Sequence, residues 1–385
     1  MQIENMKKSL FFILALSFFT TLADDMLSID VTKQGIKKQT VSIRVAHGAY
    51  AKCLKKNLEI SGLFKVEQSG VISVSGSSGA VTVSGAGKAL NASTVFTDDK
   101  SARMAARKLA DAMCETYGNQ KGFATKRVAF VNKKGANNSE LCSSYPDGYD
   151  IRRLCSDGYA VVGPRWKDSN TLFYTNFKSG PEIWELDVET GSRKLRWHFK
   201  GLATGATISP DGKSVAVILS FQGSPNLYVI DIATGRWQCL TPTKNAVEGE
   251  PAWSPDGKSI VYVSNASRRQ HLYVVDVATK KSRRITSLGT QNVNPDWGRD
   301  GRITYITKRG QGAQIAVLEP SEGDSSAVLV GRPGNWEHPS WAADSRHVVA
   351  ESGGRLFVLD TLPDGDDPRQ MFEAKGHWVT PSWSR

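Results

Sequence analysis

A short motif of the form Pro-x-Trp recurs at nearly constant spacing from residue 164 to residue 383 of this 385-residue chain. Its last position falls at residues 166, 208, 253, 297, 341 and 383, and in the copy that ends at 208 alanine and isoleucine replace the proline and the tryptophan. The successive spacings are 42, 45, 44, 44 and 42 residues. A period in the forties with several short strands per repeat is typical of a β-propeller, in which each repeat forms one four-stranded blade.

The repeat at 250–286 shows this pattern most clearly. Its first predicted strand carries Pro251 and Trp253, and Ser254-Pro255-Asp256-Gly257 forms a tight turn. Strands are predicted at 260–263, 272–275 and 284–286. The faces of one such sheet cannot both be covered by the repeat alone, so neighbouring copies must pack together.

The chain ends decide the number of blades. The last anchor, Trp383, is followed by no strand, whereas strands predicted at 127–131, 139–144 and 150–154 have no anchor before them. If the C-terminal strand pairs with these N-terminal strands, they form one blade together and remove the exposed sheet edges. The sequence therefore predicts a closed six-bladed propeller over residues 122–385.

A small α/β domain is predicted in front of the propeller, over residues 40–121. Its expected elements are a strand at 40–46, a helix at 50–60, a hairpin of strands at 71–74 and 81–83, and a helix at 101–117. We expect Asp98 or Asp99 to cap the second helix and Gly118 to end it. The fold class is thus multidomain, with an α/β domain followed by an all-β propeller.

The N-terminal 23 residues are typical of a secretory signal peptide. Lys7 and Lys8 precede an apolar run at 10–19, and Thr21-Leu22-Ala23 offers a cleavage site. An uncleaved membrane anchor is the alternative, although the run is short for a spanning helix. Residues 24–39 are polar and aperiodic, which predicts a flexible arm. We therefore expect export to the periplasm.

The chain carries a net charge of +11, which becomes +10 once Glu4, Lys7 and Lys8 leave with the signal peptide. A basic exported protein can meet an acidic partner, the cell wall or a membrane surface. Basic residues do not alternate with aromatic ones, so nucleic acid is not an expected partner. We expect a monomer.

Five cysteines are an odd number for an oxidising compartment. If Asp147-Gly148 is a turn, Cys142 faces Arg153 and Cys155 faces Glu140, which places the two sulfur atoms diagonally. That separation exceeds what a relaxed disulfide prefers, so we expect free thiols there.

Catalytic and metal-binding motifs are scarce. The six histidines have no H-E-x-x-H or H-x-H spacing, and no G-x-S-x-G motif occurs. The aspartates of the repeats lie in predicted turns. We expect no cofactor, although carboxylates and carbonyls of a propeller channel leave room for a calcium ion.

The loops entering the innermost strands are predicted to meet at one mouth of the ring. They mix aromatic residues with polar and small ones, as protein-binding surfaces do, although ordinary loop sequence is the alternative. They span residues 159–163, 202–206, 246–250, 291–294, 335–338 and 377–380. The candidate partner-binding residues from these loops include Asn294, Trp336, His338 and Trp378.

Several motifs resemble the TolB family, and the resemblance covers nearly all of residues 40–385. They are E-P-A-W-S-P-D-G-K at 250–258, L-Y-V-I-D-I-A-T-G at 227–235 and the closing T-P-S-W-S at 380–384. The junction G-F-A-T-K-R-V-A-F-V at 122–131, followed by Y-P-D-G-Y at 145–149, is more specific than the repeat itself.

This resemblance implies a non-enzymatic periplasmic component of the Tol-Pal system. Such proteins bind the peptidoglycan-associated lipoprotein Pal through the propeller mouth, and their N-terminal arm and domain communicate with the inner-membrane protein TolA. The system supports outer-membrane integrity and constriction at cell division. By position, the resemblance adds Leu202, Gly205, Gly249 and Glu250 to the partner-binding candidates; His338 stands where another repeat carries the glutamate.

Two other functions remain open on the sequence alone. One is a propeller lyase or hydrolase that acts on a cell-envelope polymer. The other is a generic propeller scaffold that does not bind Pal.

Overall fold

The computed structural model describes residues 37–92, 95–199, 201, 203–220, 223–310, 312–362 and 367–384. The predicted signal peptide, Leu202 and the predicted arm up to residue 36 lie outside the described residues. Within the described ranges, no helix has both the length and the apolar character needed to cross a membrane.

The N-terminal domain is one sheet with two helices packed against it. Its elements are β1 (Gln39–Val45), α1 (Gly48–Ile60), β2 (Phe64–Val66), β3 (Ile72–Ser77), β4 (Ala80–Gly85), β5 (Lys88–Ala92) and α2 (Asp99–Gly118). The sheet order is β2-β1-β3-β4-β5, with β1 parallel to both neighbours. The helices and strands predicted from sequence are present, whereas β2 and β5 were missed because both are short and lack a strong apolar alternation.

Both ends of α2 lie where the sequence predicted them. Asp98 is the N-cap: its Oδ1 accepts a hydrogen bond from the Ser101 amide at 2.7 Å, and the Ser101 hydroxyl accepts from the Asp98 amide. At the other end the helix stops at Gly118 as predicted, and the left-handed C-cap residue after it is Asn119, with φ of 49°. Gly118 is needed for packing, because a Cβ there would lie 2.6 Å from Leu63 Cδ1.

The rest of the described chain forms six antiparallel four-stranded sheets. Blade I contains β6 (Val128–Gly135), β7 (Asn138–Ser144) and β8 (Arg152–Cys155), with the C-terminal β29 (Trp378–Trp383) as its inner strand, and blade II contains β9 (Val161–Trp166), β10 (Thr171–Asn176), β11 (Glu182–Asp187) and β12 (Arg193–His198). Blade III contains β13 (Ala203–Ile208), β14 (Ser214–Leu219), β15 (Asn226–Asp231) and β16 (Trp237–Cys239), and blade IV contains β17 (Glu248–Trp253), β18 (Ser259–Ser264), β19 (His271–Asp276) and β20 (Ser282–Arg284). Blade V contains β21 (Gln291–Trp297), β22 (Ile303–Lys308), β23 (Ala313–Leu318) and β24 (Val328–Gly334), and blade VI contains β25 (Trp336–Trp341), β26 (His347–Ser352), β27 (Arg355–Asp360) and β28 (Arg369–Gln370).

The ring closes as the sequence predicted. Strand β29 pairs antiparallel with β6, and Trp383 lies opposite Val128. Beyond the ladder, the Ser384 amide donates to the Arg127 carbonyl, and the Arg127 amide donates to the Ser384 hydroxyl. The two ends of the propeller sequence therefore make one blade, and the six-bladed prediction is confirmed.

The recurring anchors are core residues between blades, as predicted. Trp341 and Trp383 are almost wholly buried, and Trp253 and Trp297 are nearly so. Three indoles donate a hydrogen bond to the inner strand of the preceding blade: Trp166 to Ser382 O, Trp253 to Thr207 O and Trp341 to Asp296 O. Each such anchor combines buried apolar area with a satisfied indole N–H, which fixes the angle between neighbouring blades.

A buried ion pair joins the two domains. Asp147, in the turn after β7, is fully buried and accepts from Arg107 of α2 at 2.7 and 3.0 Å. Asn57 of α1 donates to the same carboxylate at 2.9 Å. Arg107 also donates to Asp150 at 3.0 Å. Because β29, β6 and β7 alternate in direction, this turn lies at the end of blade I opposite to the start of β29.

The strand register predicted around the two cysteines of blade I is correct for one of them and wrong for the other. Cys142 faces Arg153 as expected, but Cys155 faces Leu141 instead of Glu140, because the ladder shifts register between Leu141 and Cys142. Both thiols are free and buried. Burial raises the pKa of Cys142 to about 12, so this thiol stays protonated and unreactive.

We predict that Asp147→Ala lowers the free energy of unfolding by about 3–5 kcal/mol, because it leaves the Arg107 guanidinium buried without its main partner. Urea unfolding followed by tryptophan fluorescence measures this. Glu67→Ala removes an exposed partner of Lys65 and serves as the control, with little expected change. Equal stability of the two variants would contradict a stabilising role for the buried ion pair between Arg107 and Asp147.

Candidate functional site

The inner strands of all six blades begin at the same end of the central channel. We call this end the mouth and define it by the described residues 159–163, 203–206, 246–250, 291–294, 335–338 and 377–380. The α/β domain packs at the opposite end, where the turn that carries Asp147 lies. The mouth is therefore the face of the propeller away from the N-terminal domain.

A left-handed residue interrupts each inner strand at the mouth. The ladder to the second strand shifts register there in every blade. These residues have φ between 49° and 69°, and they are Gly163, Gly205, Glu250, Asn294, His338 and Thr380. Four of them are not glycine, and for such residues this conformation costs free energy that the surroundings must supply.

Hydrogen bonds between neighbouring blades hold these strained residues. The Glu250 carboxylate accepts from Asn294 twice, from its amide at 2.5 Å and from its Nδ2 at 2.7 Å. The Asn294 Oδ1 accepts from the His338 amide at 3.3 Å, and Glu351 accepts from the Thr380 amide at 3.1 Å. A chain of side-chain-to-backbone bonds thus runs around the mouth from blade IV to blade I.

The structure places several predicted site residues on this ring. Glu250, Asn294 and His338 belong to the hydrogen-bonded chain just described. Gly205 holds the equivalent place in blade III, where a Cβ would lie 2.9 Å from Pro251 Cδ. Gly249 is partly exposed, and a Cβ added there would meet nothing within 4 Å.

Trp336 and Trp378 require a correction. Both were predicted as partner-binding residues of the mouth, but only 8% and 6% of their surfaces are exposed. Their indole N–H groups donate to Arg332 O and Ala374 O, four residues earlier in each case. These side chains fix the loops that lead into β25 and β29, and their rings pack into the core.

Exposed apolar side chains in the mouth segments, and in the loop that leads into β21, come from other positions; the Leu288 carbonyl of that loop accepts a hydrogen bond from Asn292 of the mouth. Tyr159 is 39% exposed, Val247 is 41% exposed and Leu288, just ahead of β21, is 50% exposed. We call these three the apolar rim. Val247 and Leu288 were not singled out from sequence; the available signal was an aliphatic residue inside a short polar loop.

A buried carboxylate lies beside the mouth in blade IV. Glu248, at the start of β17, is 3% exposed. Burial raises its pKa to about 7, against smaller opposing effects of hydrogen bonds from Ser264 and Thr243. This group therefore changes charge close to neutral pH.

One compact group among the described residues could hold a metal ion. It consists of Glu337, His338 and Glu351 of blade VI, whose ligand atoms lie within 4.8 Å of one another. The calcium ion suggested for the channel stays a prediction.

A buried histidine–carboxylate pair lies close to the junction of the two domains. His347 Nδ1 lies 2.6 Å from Asp344 Oδ2, and each side chain is 3% exposed. The His347 ring packs against Phe123 from the segment that links the two domains. The pair therefore contributes to the packing at the domain junction.

Residues 114–385 match the family model described as the TolB beta propeller domain. The chain belongs to the TolB family. The match begins inside α2 and runs to the C-terminus, so it includes every blade.

Solved structures agree at the level of the fold. TolB from Acinetobacter baumannii has a TM-score of 0.80 at 20% identity and covers 92% of this chain and 98% of its own. A putative TolB from Agrobacterium tumefaciens has a TM-score of 0.52 at 19% identity, over 65% and 90% of the two chains. Hydrazine synthase of Kuenenia stuttgartiensis reaches 0.57 at 13% identity, over 69% and 47%. Propeller likeness alone thus does not separate a binding protein from an enzyme.

We predict that Glu248→Gln removes a pH dependence of stability. The folded-state pKa lies above the ordinary value of 4.5, so the folded state binds the proton more tightly and loses stability as pH rises from about 4.5 to about 7. Thermal unfolding at pH 5 and pH 8 should therefore show a smaller fall in Tm for the variant. An identical fall in both proteins would contradict the assignment.

Proposed function

We propose that this protein is a non-enzymatic, periplasmic component of a Tol-Pal system, and that its mouth binds a Pal-like peptidoglycan-associated lipoprotein. The observation that carries the proposal is the apolar rim of Tyr159, Val247 and Leu288 at the open mouth of a propeller of the TolB family. Periplasmic location rests on the signal peptide predicted from sequence. Support for outer-membrane integrity and for constriction at division follows from that assignment.

The architecture of the mouth suits the docking of a folded partner. The hydrogen bonds from Glu250 through Asn294 to His338 hold the backbone in one strained conformation. A surface that is ordered before binding loses less conformational entropy on association. Exposed apolar side chains around a polar ring also match the usual composition of protein interfaces.

The α/β domain provides a second surface, away from the mouth. The ion pair between Arg107 and Asp147 fixes this domain to the far end of blade I. We propose that the domain and the preceding arm face a TolA-like inner-membrane protein while the mouth holds the lipoprotein. The two partners would then bind at opposite ends of the propeller.

Leu288→Asp tests the partner-binding surface. We predict that it weakens binding of the purified Pal-like lipoprotein from the same cells by about tenfold or more, because it places a charge within an apolar contact; about tenfold corresponds to about 1.4 kcal/mol. Isothermal titration calorimetry measures the dissociation constant.

Leu195→Asp is the matched control. Leu195 is 42% exposed, close to the 50% of Leu288, but it lies on β12, the outermost strand of blade II. This variant should bind as the parent does. Equal affinity of the parent and Leu288→Asp, or equal loss in both variants, would argue against the mouth as the binding surface.

A further inference from the structure

Blade VI differs from the other blades at the mouth. Just before the left-handed residue, each inner strand places one side chain directly opposite a residue of the second strand. In five blades both partners are uncharged: Val162 with Thr175, Thr204 with Ile218, Gly249 with Val263, Val293 with Ile306 and Val379 with Val131. In blade VI the two partners are Glu337 and Glu351.

Two carboxylates opposite each other in a ladder repel, and burial increases the cost. Like charges directly across an antiparallel pair are destabilising. Glu351 is only 6% exposed, so water screens its charge poorly, whereas the Glu337 side chain is 57% exposed and remains in contact with water. A positive charge between or beside the two carboxylates would offset this repulsion.

His338 brings a third ligand atom to the same place. Its left-handed backbone, with φ of 51°, interrupts the strand directly after Glu337. The Nδ1 atom lies 3.9 Å from Glu337 Oε2 and 3.5 Å from Glu351 Oε2. Nδ1 is buried and has no hydrogen-bond partner. The hydroxyl of Thr380, whose amide is bound to Glu351, is also buried without a partner.

These separations suit a shared metal ion better than a direct hydrogen bond. Ligands at about 2.0–2.2 Å from a tetrahedral zinc ion lie about 3.4 Å from one another. The two nitrogen–oxygen distances are near that value, and both are longer than a hydrogen bond between these groups. One imidazole with two carboxylates is a donor set for zinc-type ions, whereas calcium prefers six or more oxygen atoms.

We propose that Glu337, His338 and Glu351 bind one divalent transition-metal ion of the zinc type, with water completing its coordination. The ion neutralises the facing glutamates and ties β25 to β26 beside the mouth. It also fixes the ring of His338, whose amide is already bound to Asn294 of blade V. This site is a property of the protein without a partner, so its test is independent of the proposed lipoprotein binding.

Calorimetric titration of the purified, untagged protein with zinc chloride and separately with calcium chloride, at pH 7.5, tests this site. We expect one zinc ion to bind, and His338→Ala to weaken that binding by about tenfold or more. His198→Ala is the matched control, because His198 pairs with Glu182 alone at 3.6 Å in blade II. No zinc binding, unchanged binding in His338→Ala, or tighter calcium binding that depends on the same three residues would overturn the proposal.

Glu337→Val provides a second variant that should fold well, because valine occupies the equivalent position in blades I, II and V. Zinc should raise the Tm of the parent protein, since it binds the folded state. The variant should lose that rise while its Tm without zinc stays the same or increases. A zinc-dependent rise that persists in this variant would overturn the site.

Discussion

The ladder between β29 and β6 is the interaction on which the rest of the structure depends. It joins the two ends of the propeller sequence in blade I and thereby closes the ring. Without it, blades VI and II would flank a gap, and the hydrogen bond from Trp166 to Ser382 O would be lost. Both functional surfaces rely on this closure, because blade I carries Thr380 at the mouth and Asp147 at the far end.

The backbone at the mouth is strained, and hydrogen bonds between neighbouring blades hold it in that conformation. Left-handed Glu250, Asn294 and His338 are kept in place by side chains of adjacent blades, so each blade depends on its neighbours for its own backbone conformation. Such a ring presents a fixed surface, and the apolar rim around it then offers contact area at low entropic cost. Blade VI adds facing glutamates, which make this part of the mouth electrostatically different from the rest.

The propeller architecture was predictable from sequence because every pair of neighbouring blades must be filled by a large side chain at the same place in the repeat. Tryptophan must fill the space between blades, so the positions of Trp253, Trp341 and Trp383 gave the blade count and the closure. Trp336 and Trp378 look similar in sequence, yet their rings pack into the core beside the mouth and their N–H groups bond to the loops before them, and only the fold shows this. Asp147 was identified as a turn residue, but its burial depends on Arg107, which lies 40 residues earlier in the chain.

The mouth itself was only partly predictable. Its loops and the residues Asn294 and His338 followed from the repeat, and Glu250 followed from the resemblance to the TolB family. The left-handed conformation and the blade-to-blade bonds did not, because they arise when separate repeats meet. The apolar rim residues Val247 and Leu288 are ordinary in sequence and become informative only through their exposure. Likewise, the opposition of Glu337 and Glu351 depends on the strand register.

Hydrogen–deuterium exchange with and without the purified Pal-like lipoprotein tests the central claim most directly. The account predicts slower exchange in the mouth segments 159–163, 246–250, 291–294 and 335–338, and unchanged exchange in the turn 254–257 at the opposite end of blade IV. Protection confined to that opposite end, or no protection at the mouth under conditions in which the complex forms, would contradict it.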